Sequence, residues 1–302
     1  MWSAPVEKQC GPTCAIYAFK NVLEGLIRRK LSAEYALLAM AAMDLQTRDK
    51  VLSTREYNSE RYKELSVHNP NAIFGVDGLI SFANYGIYLA NDFPFARAAR
   101  IFKERFGRDL SSENILLIHA EAIKHMNASI EAARLGDLAR AEEEIVRYRA
   151  LSKDFQRYMS GISRSAKSEW QRRYSDYRFE VVQVRKDAFS ERQAGWYKYL
   201  FQAWLPDPAL ASVINYSSER FNARVLHTLI GGRPIYIATR NDGKDDGHAV
   251  VGFAYLRDPE PLMAVRNSGV QDAEDFSQGA IQSIDFYKVG TYYDFAIIPI
   301  AK

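Results

Sequence analysis

The residues of this chain best suited to chemistry stand at its two ends. Near the start, Gln9 precedes a Gly11-Pro12-Thr13 turn and Cys14, and an apolar helical pattern follows at once. Helix N-termini carry unpaired N–H groups and partial positive charge, which favour a thiolate at that point. An amide donor just upstream is the kind of group that stabilises an oxyanion. Downstream, Gly247-His248-Ala249-Val250-Val251 offers an imidazole at the edge of an apolar strand, and Val265-Arg266-Asn267-Ser268-Gly269 offers a carboxamide. A thiolate–imidazolium pair needs a third group to hold the ring, and asparagine can serve. The 19 positions from His248 to Asn267 suit two neighbouring antiparallel strands joined by a turn. Together these residues suit acyl chemistry through a covalent thioester.

The elements that must position them follow from periodicity. Thr13 to about Arg29 reads as a helix, with Ala15, Phe19, Val22, Leu23 and Leu26 on one face and Lys20, Asn21 and Glu24 opposite. Ser32-Ala33-Glu34-Tyr35 reads as the cap and first turn of a second helix through Leu37, Leu38 and Met43. From Asp44 to Pro70 charge dominates, which predicts surface loop with short helix. Gly75-Val76-Asp77-Gly78 reads as a flexible approach to a helix over 79–85, with Gly86 left-handed at its end. Gly75 and Gly78 either let a substrate backbone come close or simply make a turn. Residues 97 to about 200 read as helical throughout, with Leu135-Gly136-Asp137-Leu138 as a tight interhelical turn capped by Asp137. From Tyr148 to Arg178, basic residues interleave with Phe155, Tyr158, Trp170, Tyr174 and Tyr177; the expectation is aromatics packed inward and cations solvated. After Pro206-Asp207-Pro208 comes a helix over 221–230, then strands over 234–238, 248–255, 262–266 and 293–300. The predicted class is α+β, with helices carrying the cysteine and strands the histidine and asparagine.

Bulk properties narrow the function. A chain of 302 residues with 47% apolar and 25% charged residues is that of a globular protein with a substantial core. A net charge of +3 does not call for nucleic acid. No apolar run reaches the roughly 18–20 residues of a membrane span, and the N-terminus lacks a signal-peptide profile. Cys10 and Cys14 are the only cysteines, too few and too close to staple a domain, so a reducing compartment is expected. They form no zinc site with the scattered histidines, and neither metal nor cofactor is expected. His68, His119, His125 and His227 take structural readings.

The order of these motifs resembles the papain-like cysteine proteases over most of the chain outside residues 97–200. Pro5-Val6, Gln9, the Cys-Gly turn, Cys14 and Leu23-Glu24-Gly25 are similar to that family's active-site helix. Ser32 to Leu38 resembles its next helix; Gly75 to Gly78, Tyr85-Gly86-Ile87 and Phe93-Pro94-Phe95 resemble its cleft wall. Gly232 to Ile237 resembles the strand before the histidine. Gly247 to Phe253 and Val265 to Gly269 resemble the histidine and asparagine strands. The resemblance implies a two-lobed fold: residues 1–96 as a helical lobe, 97–200 as a helical insertion, and 201–302 as an antiparallel β-rich lobe. It implies Cys14 as nucleophile, His248 as general base and acid, Asn267 as the group that orients the ring, and Gln9 as oxyanion donor. It implies a protein or peptide substrate, with the insertion as a candidate docking element for a protein partner.

Three departures accompany the resemblance. Ala15 replaces the family's tryptophan after the nucleophile, Asn267-Ser268-Gly269 lacks the tryptophan of Asn-Ser-Trp-Gly, and the Gln-to-Cys spacing is one residue short. Cys10 is the rival nucleophile, by resemblance to bacteriocin-peptidase-like relatives. The same triad serves acyl transfer, deamidation and ubiquitin-like isopeptide cleavage, and a non-catalytic binding module is the alternative from another class. A protease-like site without room for a propeptide before Gln9 points to a bacterial effector delivered into a host cytoplasm.

Overall fold

The computed structural model describes residues 14–53, 75–184, 188–238, 249–257, 261–266, 281–285, 289, 293 and 295–302. Among the described residues helices come first: α1 (Cys14–Ile27), α2 (Ala33–Ser53), α3 (Gly75–Tyr85), α4 (Phe95–Phe106), α5 (Ser112–Arg134), α6 (Leu138–Ile162) and α7 (Arg164–Tyr174). Strand β1 (Tyr177–Val184) is followed by α8 (Ala188–Trp204), β2 (Ala211–Tyr216) and α9 (Ser218–Ile230). The chain ends in β3 (Ile235–Ala238), β4 (Ala249–Leu256), β5 (Leu262–Arg266), β6 (Ile281–Asp285) and β7 (Phe295–Ala301). The class is α+β, as the sequence predicts.

Local chemistry accounts for several of the helix ends. Ser32 Oγ accepts the Tyr35 N–H at 3.2 Å, and Asp137 Oδ1 accepts the Arg140 N–H at 3.1 Å. Both caps fall where the sequence puts them, and each is worth about 1 kcal/mol. Gly86 has φ +80°, which closes α3 in the left-handed region. Its site is also crowded, because a Cβ there would lie 2.1 Å from the backbone of Ala166 in α7.

The strands form one open mixed sheet in the order β2-β1-β7-β3-β4-β5-β6. All neighbours run antiparallel except β1 and β2, which are parallel. This extends the antiparallel arrangement expected from residues 201–302. Strand β1 comes from the stretch read as helical throughout, and β2 and β6 are further strands the sequence reading did not separate. In β1, Phe179 and Val181 face one core while Val182 and Val184 face the other. Its Tyr177, Phe179 and Val181 alternate with Arg178 and Glu180, a signal only a few residues long between two long helical stretches.

One face of the sheet is covered by α9, whose Phe221, Val225 and Leu229 pack on Val182, Ile235, Val250 and Ile298. The other face carries Phe179, Tyr236, Val251 and Phe295 into a larger core with α1, α2, α3 and the helices behind them. Aromatic rings run through that core. Phe19 of α1 meets Phe82, Phe179 and Tyr236 at 6.0, 5.8 and 6.4 Å between centroids. Trp170 lies against both Phe82 and Phe179. The aromatics of 148–174 therefore do pack inward. Tyr148, Tyr158 and Tyr174 are buried with hydroxyls donating to the carbonyls of Leu45, Ala98 and Leu23. Burial pushes the Tyr158 and Tyr174 hydroxyls above the ordinary tyrosine range, so they stay protonated donors.

Three local readings are corrected. Lys20, Asn21 and Glu24 are not a solvated face of α1: they are 0%, 6% and 2% exposed. Lys20 Nζ meets Glu24 Oε1 at 2.6 Å, and the same oxygen accepts the Leu31 N–H at 2.7 Å. A buried charge persists only when paired and hydrogen-bonded in this way. The charged stretch from Asp44 begins not as loop but as nearly three further turns of α2, to Ser53, whose Asp44 and Arg48 are buried. Gly75 to Gly78 is the first turn of α3 rather than a flexible approach.

Replacing Gly86 by alanine combines a left-handed backbone penalty with a clash against Ala166, and should cost about 3 kcal/mol or more. Gly107 has φ +68° but open space around its Cα, so Gly107→Ala should cost only about 1–2 kcal/mol. Urea denaturation midpoints of the two variants check this contrast, and equal losses would contradict it.

Candidate active site

Cys14 is the first residue of α1 as described, is half-buried, and carries a thiol rather than a disulfide. Its position relative to the sheet follows from two anchor points along α1. Near the C-terminal end, a Cβ on Gly25 would lie 2.8 Å from Pro234 Cγ, so only glycine lets the helix sit flush against the entry to β3. Six residues earlier, the Phe19 ring stands edge-on to Tyr236 in the middle of β3. Moving up α1 toward its start thus means moving forward along β3. Five more helical residues, about 7.5 Å, reach Cys14. Two more strand residues, about 6.6 Å, reach Ala238.

Ala238 is the end of the sheet that matters. It pairs with Ala249, the first residue of β4, and with Phe295, the first of β7. Strand β5 ends at the same side with Arg266, opposite Val251. Ala15, Ala238 and Ala249 belong to one apolar cluster, with Cys14 packed against it. The start of α1 therefore lies over the end of the sheet where β3 stops, β4 starts and β5 stops. His248 is the residue before β4 and Asn267 the residue after β5. His248, Asn267, Gln9 and the rival Cys10 lie outside the described residues.

Gly78 is buried, and a Cβ there would come within 3.1 Å of the Phe19 ring. Its lack of a side chain serves the contact between α1 and α3. Gly75 is the first residue of α3.

The most developed cluster of ionisable groups among the described residues lies elsewhere, between α2 and α5. Asp44 Oδ2 accepts from Arg48 Nε at 2.8 Å and lies 2.8 Å from His119 Nε2, and all three residues are buried. Burial pushes the Asp44 carboxyl up, but Arg48 and His119 more than reverse this and hold it below the usual carboxylate range. The sequence reading missed the Asp44–Arg48 pair; its signal was the i, i+4 spacing directly after a run of Ala, Leu and Met. His119 takes the structural role expected of it. His125 sits 2.6 Å from Glu144, whose carboxyl it holds low, and His227 is exposed in the last turn of α9. Among the described residues no three His, Cys, Asp or Glu side chains converge as a metal site. No helix there is long and apolar enough to cross a membrane.

No protein-family model matches the chain, and no curated protein is significantly similar to it.

Asp44 gives a pH prediction. Its folded pKa is depressed, so its contribution is complete above the unfolded value of about 3.9 and is lost as pH falls through the lower folded value. Wild-type stability should fall steeply below about pH 4, whereas Asp44→Asn should start less stable and show a flatter profile there. Parallel slopes for the two proteins in acid would contradict this.

Proposed function

We propose that the chain is a papain-like thiol hydrolase acting on peptide or isopeptide bonds. The observation that carries this reading is the direction of α1: it brings Cys14 to the sheet end where the strands bordering His248 and Asn267 start and stop. The chemistry then has assigned roles. His248 takes the Cys14 proton, and the thiolate attacks the scissile carbonyl to form a C–S bond. The developing oxyanion receives hydrogen bonds from Gln9 and the Cys14 backbone N–H. His248 returns the proton to the leaving amine as the C–N bond breaks. A water, deprotonated by His248, then attacks the thioester and releases the acid and the thiol. Asn267 holds the imidazole in the tautomer these steps require.

The location of Cys14 at the start of a buried helix supports its role as nucleophile. The helix end favours the anion, and the packed body of α1 fixes the sulfur in place.

The pH dependence of alkylation by iodoacetamide tests this without a known substrate. Wild type should alkylate at Cys14 well below pH 7, as a thiolate–imidazolium pair does. In His248→Ala the rate should instead follow an ordinary thiol with pKa about 8.5. Cys14→Ala should abolish the low-pH labelling, as read by peptide mass mapping. Low-pH labelling that survives in Cys14→Ala and disappears in Cys10→Ala would transfer the nucleophile to Cys10.

A further inference from the structure

We draw no further inference here: the strongest candidate, the outer edge of the uncharged strand β2, with no strand paired beyond it among the described residues, carries nothing because nothing in the structure shows what covers it.

Discussion

Everything in this structure depends on a helix lying flush against a sheet with no solvated side. Helix α1 is enclosed by α2 and α3 on one side and by β3 and β4 on the other, and from Ala15 to Glu24 every residue is buried. Such an approach is sterically demanding, and two glycines meet the demand. Gly25 admits Pro234 and Gly78 admits the ring of Phe19. The helix cannot rotate or slide without driving one of these contacts into overlap, so the position of its first residue is determined by packing far from it.

The same enclosure explains the charged groups inside the core. Lys20 and Glu24 lie on a helix with no outward face, and a lone ammonium or carboxylate there would be untenable. Their pairing, with the Leu31 N–H on the same carboxylate, ties the end of α1 to the chain that leaves it. Asp44, Arg48 and His119 repeat the arrangement one layer out, between α2 and α5. Buried hydroxyls play the neutral counterpart: Tyr35, Tyr148, Tyr158 and Tyr174 each donate to a backbone carbonyl on another element. These bonds add direction to a core whose apolar contacts have none.

Much of this was legible from residue order. The helix after Cys14, the caps at Ser32 and Asp137, the stop at Gly86 and the strands β3, β4, β5 and β7 all follow from local signals that act within a few residues. What escaped depends on contacts made at long range. Strand β1 offers only a short alternation of Tyr177, Phe179 and Val181 with Arg178 and Glu180 between long helical stretches, and β2 is defined only by pairing with β1. Lys20, Glu24, Asp44 and Arg48 look like solvated positions until the neighbours that enclose them are known. In the candidate site, Cys14 at the head of a buried helix was readable. The direction of α1 over β3 was not, since it rests on Gly25 meeting Pro234 across more than 200 positions of chain.

The functional account reduces to whether the end of the sheet marked by Ala238, Ala249 and Arg266 assembles an imidazole beside a thiol. A crystal structure of the chain with Cys14 alkylated by a peptidyl electrophile measures this directly. The account predicts a His248 ring nitrogen within about 4 Å of Cys14 Sγ, with Asn267 hydrogen-bonded to the other nitrogen. An imidazole more than about 8 Å away, or a ring held by some group other than Asn267 and turned from the sulfur, would contradict it.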